Sequence, residues 1–233
     1  MTAPQSLAQL FFDTIGRFDT KRAALRYKAD GKWHDITHQE LARRVQHIGL
    51  GLRELRINPG DRVAILATNR PEWAIADFAC LTIGCADVSV YPNLVPHQVQ
   101  HILGDSGASA IFVEDGNQLM KVAQIRSELP ALKHVITFDP DGDLASVTFQ
   151  ELAQLGEAAE SKYPEYREDA LAIPSDALAA LIYTSGTTGK PKGVMLSHGN
   201  LTSNTLASLE ILPVGPDDVC LSVLPLSHAL ERT

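Results

Sequence analysis

Residues 183 to 198 read Tyr-Thr-Ser-Gly-Thr-Thr-Gly-Lys-Pro-Lys-Gly-Val-Met-Leu-Ser-His. An apolar run from Ala177 leads into this stretch and a shorter one, Val194 to Ser197, leaves it, so the pattern predicts strand, polar loop and strand. Gly186, Gly189 and Gly193 permit backbone angles closed to other residues, which lets successive N–H groups turn inward around an anion. Ser185, Thr187 and Thr188 add hydroxyl donors, while Lys190 and Lys192 add positive charge. Together they have the chemistry of a polyphosphate cradle.

Two familiar alternatives fail on the letters. A Walker A loop needs Gly-Lys followed by Ser or Thr, and here Lys190 is followed by Pro191. A nucleophile elbow needs Gly-x-Ser-x-Gly, which is absent, so Ser185 is cast as a phosphate donor rather than an acylated serine. His97 and His101 lie four apart on a predicted helix, a spacing that could share a metal, but no Cys or carboxylate completes the set. They read as surface histidines. Cys80, Cys85 and Cys220 have neither paired nor metal-ligand spacing and read as buried thiols of a reducing compartment; Trp33 and Trp73 read as packing residues.

Elements that must position the loop follow from apolar periodicity. Ser6 to Phe18 has helical spacing, and Ala24 to Tyr27 with Trp33 to Ile36 reads as a hairpin around Asp30-Gly31. Thr37 and Glu40 predict a capping box opening a helix to about Leu55. Beyond Pro59-Gly60, apolar runs at 62–66, 87–91, 108–113 and 134–138 alternate with helical stretches, two of them begun by Pro71 and Pro96. Continuous apolar strands joined by helices imply a parallel sheet covered on both faces. Residues 139–176, rich in acidic residues and Pro, read as a surface excursion with a short helix at 148–155, and 219–224 reads as a further strand.

With 45% hydrophobic and 21% charged residues, the 233-residue chain has globular composition. A net charge of −8 disfavours a nucleic-acid partner, since phosphate backbones attract clustered Lys and Arg. The residues from Met1 to Gln9 lack the basic and apolar regions of a secretory signal, and no run approaches the ~20 apolar residues of a spanning helix. A cytoplasmic protein is expected, with peripheral membrane contact through a local basic or apolar patch left open.

Thr184 to Gly193 resembles the signature phosphate loop of the adenylate-forming superfamily of acyl- and aryl-CoA ligases, luciferases and peptide-synthetase adenylation domains. Tyr91-Pro92-Asn93-Leu94 and Ser109 to Glu114 resemble its N-terminal subdomain. Leu224-Pro225-Leu226-Ser227-His228-Ala229-Leu230-Glu231-Arg232 resembles the next motif in its long-chain fatty acid form. The resemblance implies an α/β fold of layered, largely parallel sheets flanked by helices, forming the incomplete N-terminal portion of the large domain. Residues 1–175 would be one subdomain and 176–233 the start of the next, carrying the loop 183–193.

The activity implied is attack of a carboxylate, here a long-chain fatty acid, on ATP to give acyl-adenylate, which the CoA thiol then resolves. Thr184, Ser185, Gly186, Thr187, Thr188, Gly189, Lys190 and Lys192 would bind the phosphates, Thr184 would also face Mg²⁺, and His228 would stand beside the acyl carboxylate and the adenylate. The ribose-binding Asp, the hinge and the C-terminal domain with its catalytic Lys are not found in these residues. The chain is therefore expected to be a fragment, inactive alone and self-associating as a homo-oligomer through uncovered apolar surface. A non-catalytic nucleotide-binding or interaction module is the alternative from another class; an aryl-CoA ligase or peptide-synthetase adenylation domain is the alternative within the enzymes.

Overall fold

A computed structural model describes residues 4–18, 23–139, 147–184, 190–215 and 217–228. Helix α1 (Leu7–Phe18) precedes a hairpin of β1 (Leu25–Ala29) and β2 (Lys32–Ile36). Asp30 and Gly31 turn it with φ of 50° and 75°, the left-handed pair of a type I′ turn. Trp33 is 63% exposed on this hairpin and packs little, contrary to its expected role, because both faces of a two-stranded ribbon cannot be covered. Trp73 is buried as expected.

Helix α2 (His38–Glu54) follows. The Thr37 hydroxyl accepts from the Glu40 N–H at 3.2 Å, but the Glu40 carboxylate turns to Arg43 and Arg44 instead of closing the predicted box. The main sheet then builds from β3 (Arg62–Leu66), β4 (Ala86–Val90), β5 (Ala110–Val113), β6 (His134–Thr137), β7 (Val147–Thr148), β8 (Leu178–Thr184) and β9 (Lys192–Ser197). Its order is β7-β6-β5-β3-β4-β8-β9, parallel throughout except for the β8–β9 hairpin.

Alternate residues of each strand feed opposite cores. Val63, Ile65, Ala110 and Phe112 pack with α2, α3 (Pro71–Thr82) and α6 (Phe149–Ala159). Ala64, Leu66, Ile111 and Val113 pack with α4 (Pro96–Ser106) and α5 (Gly116–Ile125) on the other face. Two covered faces explain why these strands read as unbroken apolar runs.

The described part of the expected surface excursion, residues 147–176, packs into the fold, and its expected short helix is part of α6. β7 joins β6, and Leu152 of α6 and Ala170 of α7 (Tyr166–Leu171) are fully buried. Gly51 of α2 and Gly156 of α6 let the two helices approach backbone to backbone, a device that acidic composition conceals. Residues 219–224 form no strand, since no partner pairs with them among the described residues; Val219, Leu221 and Val223 are exposed. The thiols divide. Cys80 and Cys85 are buried and burial pushes Cys85 up to about 12, whereas Cys220 on that same segment is exposed. The expected boundary at 175/176 falls before β8, and because β8 hydrogen-bonds to β4 the sheet crosses it without interruption.

Helix α8 (His198–Ile211) is capped by the Ser197 hydroxyl and locked to α1 by His198, which is fully buried and accepts from the Leu7 N–H through Nδ1 at 3.3 Å. Burial lowers the His198 imidazole to about 4, below its ordinary value near 6.5. A histidine depressed in the folded state is protonated first in the unfolded chain, so stability present above pH ~6.5 is lost as pH falls toward 4, by about 3 kcal/mol in all. Urea titrations at pH 7.5 and pH 4.5 check this: His198→Gln should flatten the acid decline of the wild-type chain, and parallel declines would exclude His198 as a cause.

Candidate functional site

Thr184 ends β8 and Lys192 begins β9, and the two face each other as the last cross-strand pair of the hairpin. The loop between them is thus closed at its base, with Lys190 just inside the exit. All three side chains are exposed. Ser185, Gly186, Thr187, Thr188 and Gly189 lie outside the described residues. Since β8 runs parallel to β4 and β3, the loop emerges at the carboxyl edge of the sheet, where open α/β sheets bind their ligands.

Gly193 has a reason other than the expected backbone freedom. It sits in β9 opposite Tyr183 and is absent from the positive-φ glycines. A Cβ there would lie 3.0 Å from Tyr183 Cζ, so glycine is required by the ring lying across it.

The same edge is braced by contacts that no sequence motif announces. Thr68, after β3, donates its N–H and hydroxyl to the Glu114 carboxylate after β5. Arg70 reaches Glu72 at 2.8 Å and Asp139 at 3.0 Å while its guanidinium lies over the Phe138 ring. Asn69 grips the segment leading to His228: its Nδ2 donates to Leu224 O at 2.7 Å and Ser222 Oγ at 3.1 Å, and its Oδ1 accepts from the Leu226 N–H at 2.8 Å. β3 and β8 both flank β4, so this grip brings the exposed His228 to the edge that bears the loop, two strands away. Asn69 precedes a Pro-started helix and could have been noticed only as a polar residue at a strand's carboxyl end. His101 is half-buried and bonded to Pro191, so it is not the surface residue expected. The described residues contain no group of three or more His, Cys, Asp or Glu able to hold a metal ion, and no helix among them is long and apolar enough to cross a membrane.

The model of the AMP-binding enzyme family matches residues 11–233. The chain belongs to the AMP-binding enzyme family. Within it, a long-chain-fatty-acid–CoA ligase of Mycobacterium tuberculosis, FadD15, is 37% identical over 206 residues, covering 87% of this chain and 33% of that protein. Fatty acyl-CoA synthetase A of Dictyostelium discoideum is 32% identical over 211 residues, covering 88% and 31%. The apo structure of MbtA from Mycobacterium smegmatis superimposes with a TM-score of 0.82 at 29% identity, covering 97% of this chain and 40% of that one. The chain therefore spans about a third of the length of the curated AMP-binding relatives it matches.

Proposed function

We propose that this chain is the phosphate-binding portion of an ATP-dependent ligase that activates a carboxylic acid, a long-chain fatty acid, as acyl-adenylate and passes it to CoA. The observation that carries the reading is the glycine- and hydroxyl-rich hairpin, placed at the carboxyl edge of a parallel sheet in a chain whose relatives are named as fatty acyl-CoA ligases. In this reading the loop amides and the hydroxyls of Thr184, Ser185, Thr187 and Thr188 hold the β- and γ-phosphates. Lys190 and Lys192 oppose the charge that grows on departing pyrophosphate, where stabilisation accelerates the reaction. His228, carried by the Asn69-bound segment, stands beside the carboxylate.

Thr184 suits a magnesium ion carried on the triphosphate. Magnesium takes one or two hard oxygen ligands from protein and the rest from phosphate and water, and an exposed hydroxyl at the loop's base fits that demand. The ion would neutralise phosphate charge; the chain's own part is to orient the polyphosphate tail against it. The division into 1–175 and 176–233, a cytoplasmic site of action and peripheral membrane contact belong to the same reading.

The test is carboxylate-dependent exchange of labelled pyrophosphate into ATP, run across a fatty-acid panel on the longest polypeptide that carries these residues and on the 233-residue chain. Exchange in the former and none in the latter is expected. Nucleotide binding without exchange in either form would favour a non-catalytic module. The isolated chain should also self-associate through Ile211, Val219 and Leu221, each at least 80% exposed. A monomer by light scattering at tens of micromolar would remove that element.

A further inference from the structure

We propose that His101 and Asp105, on one face of α4, are positioning residues that grip the two stems of the phosphate loop and so fix where its donors stand. The proposal rests on the functional reading above but concerns residues that the loop motif does not contain.

The two grips are separate. On the β8 side, Tyr183 donates its hydroxyl to Asp105 Oδ2 at 2.6 Å. On the β9 side, His101 Nε2 lies 2.9 Å from the Pro191 carbonyl oxygen, to which its N–H donates in the tautomer protonated there. Four residues separate His101 from Asp105, so both project from the same side of α4. The His101 ring also stands edge-on to the Tyr183 ring, centroids 6.4 Å apart at 82°, linking one stem to the other. Tyr183 in turn lies over Gly193 across the hairpin. Three hairpin residues, Tyr183, Pro191 and Gly193, and two helix residues thus form one connected unit around the Thr184–Lys192 pair.

A grip positions something only if it is itself fixed, and α4 is. Val99, Ile102 and Leu103 are buried against the sheet in the core that contains Leu181 and Tyr183. At its carboxyl end the Arg62 guanidinium, rooted in β3, donates to the Ser106 carbonyl at 2.9 Å and to the Gly107 carbonyl at 3.0 Å. Ahead of its first turn, Lys121 of α5 ties the Pro92 and Leu94 carbonyls at 2.6 and 3.1 Å. The helix is held at both ends while its polar face reaches over the loop's base. Burial and the neighbouring Asp105 carboxylate raise the Tyr183 phenol above its ordinary value, so it remains a donor throughout the working pH range.

Fixing both stems sets where the loop's donors are anchored, as the transition state requires. A misplacement of ~1 Å is worth up to about 100-fold in rate. The effect should fall on the nucleotide and spare the acyl substrate.

The experiment uses the longest polypeptide with exchange activity. Asp105→Ala, Tyr183→Phe and His101→Ala should each lower kcat/KM for ATP by roughly 10-fold and the His101→Ala/Tyr183→Phe pair by up to about 100-fold, with KM for the carboxylate unchanged. Asp105→Asn, whose amide oxygen still accepts from the phenol, should recover most of the loss. Hydrogen exchange supplies a readout independent of catalysis: in the 233-residue chain Asp105→Ala should speed amide exchange at Tyr183, Thr184, Lys192 and Gly193 while β3 and β5 stay protected. Loss of both kinetic constants together, or protection falling across the whole sheet, would make these residues merely structural and overturn the proposal. Wild-type kinetics in all three single variants, in an enzyme that Lys190→Ala still impairs, would overturn it while leaving the functional reading intact. Absence of exchange in the wild-type polypeptide would overturn both.

Discussion

Replacing Gly156 with alanine should destabilise the chain by at least ~4 kcal/mol, which places it among the exceptional single substitutions. A Cβ at this position would intrude on the His47 carbonyl of α2, lying 2.6 Å from His47 C and 2.8 Å from Gly51 N, all of them backbone atoms with no rotamer to change. Relief requires α2 and α6 to separate. That separation uncovers Leu52, Ile48 and Leu152, which are at most 1% exposed, and disturbs the layer that covers one face of the sheet. Typical domain stabilities run from ~5 to 15 kcal/mol, so a loss of this size removes from about a quarter to most of the folding margin. Gly104 supplies the contrast. It also lies within a helix, α4, but the nearest atom to its added Cβ is Leu129 Cδ2 at 3.7 Å, an ordinary contact. Gly104→Ala should therefore stabilise by about 0.5–1 kcal/mol through helix propensity alone. Urea unfolding of the two variants decides the matter: opposite shifts in midpoint are expected, and similar shifts would refute the close helix crossing.

That pair of glycines marks where the letters stop informing. Strands such as Arg62 to Leu66 were legible because burial on both faces requires an unbroken apolar run, and helices begun by Pro71 and Pro96 were legible because proline suits a first turn. α6 was placed on the surface because its packing depends on a missing side chain, a signal with no hydrophobic content. α8 went unseen for a related reason. Its apolar residues, Leu201 buried but Leu209 and Ile211 exposed, mark no single stripe. At the candidate site only the proposal that the loop binds phosphate was readable, from its N–H groups, hydroxyls and cations. What holds the loop was not. His101 and Asn69 lie 90 residues or more from the segments they grip, and only the sheet's crossovers bring them there.

Lys190→Ala, in the longest polypeptide with exchange activity, should lower kcat for acyl-adenylate formation by roughly 10²–10³-fold, the usual consequence of removing one preorganised donor aimed at developing charge. The side chain is exposed at the exit of the loop, next to Pro191 whose carbonyl His101 holds, so its root is fixed while its ammonium is free to reach a phosphate. Lys192, facing Thr184 at the hairpin's base, should matter less because its position is set by the strand pairing and lies farther from the loop's tip. Lys190→Arg should restore only part of the loss, since a planar fork delivers charge in a different geometry from a compact ammonium. Exposed charge also implies salt sensitivity: raising ionic strength should weaken ATP affinity in the wild type and do so less in Lys190→Ala. Pyrophosphate exchange measured across ATP concentrations up to saturation separates the two quantities. A variant with unchanged kcat and only a raised KM would show that Lys190 binds the nucleotide equally in ground and transition states, and one with neither changed would remove it from the site altogether.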